Sequence, residues 1–411
     1  MFPIVSSFLF RYPMFLKTIG ILLILPLIPI LLLFGCKSIS DSIDYFGQTY
    51  PDSIPVIFAP GAVSMKGRLE HGISFTPNSK ELAFGILHKG DFNGEIFYSK
   101  KINEKWTEPV VFEPLKGECV YLPYFSPNGK SLLFTQSKAG KDNVFTDICI
   151  IEKLNDGWGA PKIMGAPINS ASREANACMT DDGTIYFSSN RNCEGKENCH
   201  TADLFYSKFM DNAYQHVGII SEFVSSNDEE SVFISPKEEY IIFCRYTDNE
   251  RGTDLYISYR DVNNKWIEPQ VIDSTINSKD WDRRPFVTVD NKFLFFTRLQ
   301  IGENGVTESD IYWVNTSKLF KPFVYNALPD TTVRIGEKFE IFIPKDYFKD
   351  IDDKQLTYSV NQNQFDWLNF DREQMKLSGL PTVEGDFELT FTASDNYSNM
   401  TVDKIMITVK K

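Results

Sequence analysis

Five copies of one short pattern, a strand, a tight turn and a second strand, constrain the fold of this chain most. The pattern is clearest in YFSPNGKSLLF at 124–134, where a turn of Pro, Asn, Gly and Lys separates two apolar runs. The other copies are at 74–84, 179–187, 233–243 and 287–296. Their turn positions, Pro77, Pro127, Asp181, Pro236 and Val289, are 50, 54, 55 and 53 residues apart. Such a period predicts a repeat architecture.

Two further signals recur with the same period. An acidic residue followed by an aliphatic one lies downstream of every copy, at Glu95, Asp147, Asp203, Asp254 and Asp310. A Trp-x-x-Pro group follows in three repeats, at Trp106, Trp158 and Trp266. Each repeat therefore predicts four strands, and in the second repeat these are 120–125, 131–136, 147–152 and 162–164.

The first strand of the repeat region predicts how the array closes. The sequence PVIFAPGAVS from Pro55 matches PVVFEPLKGE at 109–118, so the region begins with the last strand of a repeat. An array of this kind can close into a ring, which leaves only short sheet edges. We therefore expect an all-β chain with a β-propeller over 55–322, five blades being favoured and six being the alternative.

These motifs together carry a family resemblance. The S-P-N-G-K turn, the acidic strand and the W-x-x-P group resemble the WD-like propeller repeats of TolB-type and related bacterial periplasmic proteins, over about 55–320 of the chain. TolB-type propellers have six blades, whereas five repeats are visible here.

The repeat pattern ends after Phe320, and a proline-containing junction at 326–330 leads into a second domain, 326–411. Six predicted strands indicate a β-sandwich, at 332–335, 339–343, 356–360, 375–378, 387–395 and 401–409. The groups IGEKF, LTY, WLNF, LSGLP and FTASD between 335 and 395 closely resemble the dystroglycan-type cadherin-like, or putative Ig, module.

The N-terminus indicates export. Arg11 and Lys17 precede an apolar run at 18–34, and the sequence Leu-Phe-Gly-Cys that ends at Cys36 resembles a bacterial lipobox. The resemblance implies a signal peptide at 1–35, a lipid on Cys36 and an outer membrane lipoprotein that faces the periplasm or the cell surface. A retained membrane helix is the alternative, but the run contains Pro26 and Pro29 and is short for a span. The polar segment 36–54 is predicted to be a tether.

Charge and cysteine content narrow the function further. A net charge of −13 without a basic stripe excludes nucleic acid as a ligand.

An exported chain permits disulfides, and Cys193 and Cys199 flank a short polar loop that could bring them within bridging distance. With His200 adjacent, zinc is the alternative to this disulfide. The sequence does not predict the pairing of Cys119, Cys149, Cys178 and Cys244.

Acidic residues near the start of each repeat are candidate ligand-binding groups. They are Glu70, Glu118, Glu174, Glu229 and Asp282, of which Glu118 stands two residues early. This position lies near the axis of a propeller, so the five could form a ring that attracts a cation or a polar ligand. The alternative is structural, because a side chain repeated in every blade usually makes the same loop-fixing hydrogen bond there.

Two acids stand in a less repetitive setting and are the candidate catalytic residues. Asp280 and Asp282 lie in KDWDRR at 279–284, where Trp281 could stack on a sugar and the two arginines could hold an anion. A glycosidase needs two unlike carboxylates about 5–10 Å apart. The alternative is a cluster of salt bridges in a loop. The four histidines have no ligand spacing, and no other catalytic motif is visible.

In the second domain, Asp350, Asp352, Asp353 and Asp395 match positions where cadherin-like modules gather oxygen ligands, so calcium is the one cofactor considered.

The sequence leaves three candidate functions open. The first is a non-catalytic, lipid-anchored envelope protein whose propeller recognises a protein or a glycan. The second is a carbohydrate-active enzyme, a hydrolase or a lyase, that uses the propeller funnel. The third is adhesion through the cadherin-like domain.

Overall fold

The computed structural model describes residues 45–89, 93–137, 145–193, 201–248, 252–303, 305–361 and 365–411. The predicted signal peptide and Cys36 lie outside these residues. In the described part of the chain, no helix is both long and apolar enough to cross a membrane. The described secondary structure is β-strand apart from four short 3-10 helices, at Glu113–Leu115, Arg191–Cys193, Ser221–Phe223 and Thr316–Lys318.

The repeat region forms five antiparallel sheets of four strands, which are the blades of a propeller. From the innermost strand outward, blade 1 is Leu69–Phe75, Glu81–Leu87, Gly94–Ile102 and Val110–Val111. Blade 2 is Val120–Phe125, Ser131–Ser137, Thr146–Leu154 and Lys162–Ile163. Blade 3 is Glu174–Met179, Ile185–Ser189, Asp203–Ser207 and Gly218–Ile219. Blade 4 is Glu229–Ile234, Tyr240–Asp248, Gly252–Tyr259 and Gln270–Val271.

Blade 5 closes the ring with a strand from the start of the described chain. Its first three strands are Trp281–Val287, Phe293–Gly302 and Gly305–Asn315, and its outermost strand is Val56–Ile57. Val56 pairs with Trp313, and the backbone N–H of Phe58 donates to the carbonyl of Ile311 at 2.8 Å. The innermost strands contact one another in blade order, and blade 5 contacts blade 1. The all-β prediction and the predicted strand exchange are therefore confirmed, with five blades.

The recurring turn is held by its own polar side chains. In blade 2 the Oδ1 of Asn128 accepts the hydroxyl of Ser126 at 2.8 Å and the backbone N–H of Lys130 at 2.9 Å. Gly129 has a φ of +66°, which glycine adopts without steric cost. Thr180 with Asp182, and Thr288 with Asp290, make the same side-chain contact. The side-chain contact thus recurs in four of the five turns, although Pro is replaced in two of these four, and in blade 4 Lys237 stands at the position of Asn128.

Four short strands extend the third strands of blades 1 to 3 as small hairpins, at Lys105–Trp106, Gly157–Trp158, Phe209–Met210 and Ala213–Tyr214. The Trp-x-x-Pro tryptophans lie here or at the equivalent place. Trp158 of blade 2 packs edge-on against Phe112, which follows the outermost strand of blade 1, at 5.3 Å between ring centres. Trp266 of blade 4 packs on Phe223 at 5.9 Å. These tryptophans fill the space between one blade and the segment that leads out of the previous blade.

The prediction that 36–54 is a tether is wrong for its described part. Tyr45 is 1% exposed and packs against Phe58, Phe75 and Trp313, with ring centres 5.2–6.1 Å apart. Phe46 stacks on Trp106 at 5.2 Å. The composition of the segment is polar because of its serines and aspartates. Two aromatic residues within it, Tyr45 and Phe46, nevertheless pack in the propeller core.

The C-terminal domain is a β-sandwich. One sheet contains Thr331–Arg334, Met400–Lys410, Gly385–Ser394 and Thr357–Val360, with the first pair parallel. The other contains Phe339–Phe342, Lys376–Gly379 and Leu368–Asp371. A further pair joins Phe323–Val324 to Phe348–Lys349. Leu377, Leu389 and Ile407 are fully buried between the sheets.

The sandwich is packed onto blades 4 and 5. Tyr259 stacks on Phe323 with ring centres 4.2 Å apart, and Tyr240 packs on Phe320 at 4.9 Å. The side-chain amide of Asn399 donates to the carbonyls of Ser317 and Phe320 at 2.8 and 3.2 Å. These contacts lie where the third strands of blades 4 and 5 end. Deletion of 326–411 would therefore remove the Asn399 contacts and the strand that pairs with Phe323–Val324.

Candidate functional site

Every innermost strand contains a bulge at the same place. The bulged residue has a positive φ in each blade, and the five are Gly72, Leu122, Asn176, Ser231 and Arg284, with φ of 56–78°. The pairing of the first two strands shifts register at this point in all five blades. Because a bulge re-aims the side chains around it, the start of each innermost strand presents groups that simple alternation would turn away from the axis.

The acids predicted to form an axial ring lie two residues before the bulged position or, for Glu118, two residues before the strand. Four of them are buried, and each is bound to an arginine of its own blade. The pairs are Glu70 with Arg68 at 2.6 Å, Glu174 with Arg191 at 3.1 Å, Glu229 with Arg245 at 2.8 Å and Asp282 with Arg298 at 2.7 Å. Serines four residues earlier donate to the last three, from Ser170, Ser225 and Ser278. None of the five acids is among the described residues that line the axial cavity, and the contacts of these four are of the loop-fixing kind that the structural alternative expects.

Each of these arginines also lies over two aromatic rings, so we call the set of acid, arginine and rings the blade brace. In blade 5 the guanidinium carbon of Arg298 is 5.3 Å from the ring centre of Phe296 and 4.6 Å from that of Tyr312. The same arrangement occurs at Arg68, Arg191 and Arg245. Burial raises the pKa of Asp282 to about 6, against the effect of Arg298.

Blade 2 lacks the brace. Val120 occupies the position of the acid, and Glu118 is exposed, where its Oε2 accepts the side-chain amide of Gln136 at 3.0 Å. Gln136 in turn accepts the thiol of Cys149 at 3.3 Å. The two-residue offset of Glu118 in the sequence therefore marks a real difference in blade 2.

A cavity of about 470 Å³ lies on the propeller axis at the end where the innermost strands begin. Its polar wall comes mainly from residues next to the bulges and from the neighbouring strand of blade 4, and these are His71, Tyr121, Arg173, Glu230, Tyr246, Trp281, Arg283 and Arg284. Further along the axis, Tyr124, Phe233 and Phe286 pack with ring centres 5.7–6.5 Å apart. The cavity is therefore closed at its inner end by aromatic side chains.

Glu230 is the centre of the charge network in this cavity. Its two carboxylate oxygens bind Arg173 and Arg283. Burial by itself would raise the pKa of Glu230, but the guanidinium groups of Arg173, Arg283 and Arg284 outweigh it and hold the pKa well below its usual range. Glu230 is therefore ionised at neutral pH and is not available as a general acid.

His71 is buried beside these arginines. The Nε of Arg284 donates to its Nε2 at 3.2 Å, and its Nδ1 is buried without a hydrogen-bond partner. Burial, and then the charges of Arg284 and Arg283, lower the pKa of His71 well below its usual value, so the ring is neutral. Since Nε2 accepts a hydrogen bond, the proton of the neutral ring is on Nδ1.

The two candidate catalytic residues lie outside the cavity. Asp282 is fully buried in the brace of blade 5, and the backbone N–H of Asp280 donates to the hydroxyl of Ser278 at 3.1 Å. Trp281 and Arg283, which alternate with them along the strand, do line the cavity together with the bulged Arg284. The loop-salt-bridge alternative fits Asp282, whereas the residues suggested for stacking and anion binding reach the site.

The described residues include one of the two cysteines of the predicted disulfide. Cys193 is disulfide-bonded, and its predicted partner Cys199 lies outside the described residues, as does His200. The pairing with Cys199 therefore stays a prediction. Cys119, Cys149, Cys178 and Cys244 are free thiols.

The structure gives the predicted calcium site no support. The carboxylate of Asp353 accepts backbone N–H groups of Gln355 and Asn396, and that of Asp395 accepts those of Tyr397 and Asn399, all at 2.8–2.9 Å. As carboxylates, Asp350 and Asp352 each keep one buried oxygen that accepts no hydrogen bond from the described residues, and two such oxygens are far fewer than the six to eight oxygen ligands of calcium. Across the described residues, no group of three or more His, Cys, Asp or Glu is arranged to hold a metal ion.

Comparison with known proteins agrees with the sandwich fold of the C-terminal domain. A family model described as "Putative Ig domain" matches residues 321–410. No match is found among curated proteins. Among solved structures, the putative TolB from Agrobacterium tumefaciens is similar at 16% identity and a TM-score of 0.34, over 65% of this chain and 99% of that chain.

Two further solved structures extend this comparison. The GH43 endo-arabinanase from Bacillus licheniformis is similar at 12% identity and a TM-score of 0.38, over 62% of this chain and 95% of that chain. For a putative alpha-galactosidase from Bacteroides fragilis, the match spans 18% of that chain and 22% of this one, at 20% identity and a TM-score of 0.18. Similarities at these identities bear on the fold alone. The strands of the structure and the family match at 321–410 show that the chain is an all-β protein with a propeller and an Ig-like domain.

Proposed function

We propose that this chain is a cell-envelope protein, anchored through a lipid on Cys36, whose propeller recognises a ligand in the axial cavity without transforming it. One observation carries the proposal. The cavity is concave, closed at its inner end and lined by side chains that differ from blade to blade. Repeated side chains build the scaffold, so a wall of unlike polar groups on the axis supports a specific ligand site.

The charge network favours binding over glycoside hydrolysis. A glycosidase needs one carboxyl group that can donate a proton and a second carboxylate within about 10 Å. Glu230 is the one carboxylate among the described residues that line the cavity, and two arginines hold it ionised. Asp280 and Asp282 cannot supply the second group, because they lie outside the cavity.

The position of the chain start also supports presentation of the cavity. Tyr45 packs against Phe75 and Phe293, which lie at the end of an innermost strand and at the start of a second strand. The cavity is at the opposite end of the same strands. The described chain therefore begins at the end of the propeller opposite to the cavity, which is compatible with attachment at one end and recognition at the other.

A capture experiment tests recognition. The full chain, immobilised, is exposed to envelope glycan and protein extracts, beside Arg283→Gln and a control, Arg334→Gln, on the exposed edge of the sandwich. We expect material that the wild type and the control retain and that Arg283→Gln loses. Equal retention by all three would place recognition outside the cavity, and chemical conversion of the retained material would replace binding by catalysis.

The lipid anchor has its own test. Cells that express the full chain are grown with an alkyne-labelled fatty acid, and the labelled protein is compared with Cys36→Ser. We expect label and detergent-phase partitioning for the wild type and neither for the variant. Label that survives in Cys36→Ser would contradict the anchor and leave the cavity proposal untouched.

A further inference from the structure

We propose that the axial cavity takes an acidic saccharide, with the carboxylate of the sugar held by Arg283 and its neighbouring cations and the sugar ring placed against Trp281. This inference rests on the proposed function, namely that the cavity is a ligand site, and it adds the chemical class of the ligand. Three independent features of the cavity carry it.

The first feature is an excess of buried positive charge. The guanidinium groups of Arg173, Arg283 and Arg284 face one cavity carboxylate, that of Glu230. Arg283 and Arg284 are 8% and 9% exposed. Asp228 lies close enough to Arg173 to act on it, but its Oδ1 accepts the backbone N–H of Ala202 at 2.5 Å and it does not line the cavity.

Even with Asp228 counted, the cations outnumber the carboxylates. This excess stands in a protein whose net charge is −13. A buried cation without a counter-charge is costly, and an anionic ligand would remove that cost. Charge alone therefore favours a ligand with a negatively charged group.

The second feature is a pair of hydrogen-bond donors without partners. The Nδ1 of His71 and the Nε of Arg283 are both buried, and neither has a partner among the described residues. His71 is 5% exposed and lines the cavity. An unpaired buried donor costs about 1–3 kcal/mol, so a ligand whose acceptor oxygen reached either group would remove that cost. Arginine presents its N–H groups as a fork that matches a carboxylate.

The third feature is an aromatic wall. Trp281 is partly exposed, and Tyr246 supports it edge-on at 5.4 Å between ring centres. Gly252 gives the indole its room, because a Cβ on this residue would lie 1.9 Å from the Cδ1 of Trp281. An aromatic face held in this way packs on the C–H face of a sugar ring and leaves the ring hydroxyls to polar partners.

The test uses a matched pair of sugars on the full-length protein. Trigalacturonate is titrated into the wild type at about 0.15 M salt by calorimetry, beside its methyl ester, which keeps the rings and removes the charges. We expect the acid to bind at least about tenfold more tightly than the ester, a difference of about 1.4 kcal/mol. Inorganic sulfate and a neutral maltotriose are the other two arms.

Variants locate the site. Arg283→Gln should lose the preference for acid over ester, and Trp281→Ala should weaken both sugars by a similar factor. Arg334→Gln and Tyr397→Ala, which alter exposed residues of the sandwich, should bind like the wild type. If Arg283→Gln does not fold, the comparison of acid with ester on the wild type still decides the question.

The remaining outcomes separate the two proposals. Equal binding of acid and ester, or maltotriose binding that depends on Trp281, would overturn the acidic class and keep the cavity as a binding site. Sulfate that binds as well as trigalacturonate would overturn the saccharide part. If none of the probes binds and Arg283→Gln captures the same extract material as the wild type, both proposals fail. Formation of an unsaturated sugar in the calorimeter sample would show that the protein cleaves the saccharide as a lyase and would overturn binding without conversion.

Discussion

The Nε of Arg284 donates a hydrogen bond to the Nε2 of His71 at 3.2 Å, across the junction between the last blade and the first. The contact joins two residues that are 213 positions apart in the chain. His71 precedes the bulged residue of blade 1, and Arg284 is the bulged residue of blade 5. No other blade has a histidine or an arginine, respectively, at the equivalent position. The junction between blades 5 and 1 therefore contributes cavity-lining groups as well as closing the ring.

His71 predicts a loss of stability on acidification. Its pKa in the folded protein is lowered by burial and by Arg284 and Arg283, whereas the unfolded chain takes up a proton near pH 6.5. Above that pH both states are neutral and His71 contributes nothing to the pH dependence. Below it the unfolded state is favoured by up to about 1.4 kcal/mol per pH unit.

Denaturant unfolding of the full chain at about pH 7.5 and about pH 5 measures this effect. His71→Gln should lose less stability between the two conditions than the wild type. His88→Gln is the matched control, since the side chain of His88 is 49% exposed. The same pH slope in the wild type and in His71→Gln would show that His71 is protonated in the folded state.

The blade brace predicts an asymmetric response to mutation. Asp282→Ala leaves the guanidinium of Arg298, whose side chain is 14% exposed, without its partner, and should cost about 3–5 kcal/mol of unfolding free energy. Arg298→Met should cost less, because Asp282 already has a raised pKa and can take up a proton. The double variant should be more stable than the sum of the single changes predicts. Additive effects in thermal unfolding would contradict the pairing.

The strand that closes the ring predicts a strong effect from one aromatic residue. Phe58 is 0% exposed and packs on Phe295 and Trp313 at 5.0 and 5.3 Å. Phe58→Ala should therefore cost about 3–5 kcal/mol, whereas Val56→Ala, at a residue that is 40% exposed, should cost less than about 1 kcal/mol. A loss below about 1 kcal/mol in Phe58→Ala as well would mean that this segment contributes through its backbone alone.

Asp350 and Asp352 in the sandwich predict a loss of stability as the pH rises, which is opposite to the effect of His71. Burial, followed by the hydrogen bond to Asp350 and its charge, raises the pKa of Asp352. The stability that comes from the shared proton is fully present below the ordinary carboxyl pKa and is lost as the pH rises through the raised value. Asp352→Asn should thus be more stable than the wild type at about pH 8 and no more stable at about pH 4.

The same melting curves test calcium. We expect no stabilisation by added calcium and no loss on chelation, in the wild type as in Asp352→Asn. A rise in melting temperature that needs both calcium and Asp352 would establish the ion site that the sequence suggested.

The sequence predicts the propeller because the elements that define it are local. The turn at 126–131 is stabilised by side chains within six residues, so it recurs wherever those residues recur, and blade 2 shows the four predicted strands with shifts of one or two residues. Leu368–Asp371 was missed as a strand because it is only four residues long and half of it is polar. Tyr45 was missed because its partners come from distant parts of the chain.

The site is harder to predict, for a physical reason. The repeated acids stand out in the sequence, but the bulge that follows them decides which neighbouring side chain faces the axis. Arg283 and Trp281 were visible as an unusual cluster, whereas His71, Tyr121 and Glu230 gave no signal of their own. The one clue is their position. Each of the three directly follows the position of the repeated acid in its blade, and the residue type at this place differs from blade to blade.

The strand Val56–Ile57 also sets the order of events during synthesis. It leaves the ribosome before every blade, yet its partner, Gly305–Asn315, is made after the other four blades are complete. Until then blade 5 cannot form, and the early strand and its aromatic neighbours stay unpaired. A chain that is shortened before Asn315 should therefore be left with an open ring and a sheet edge free to pair with another molecule.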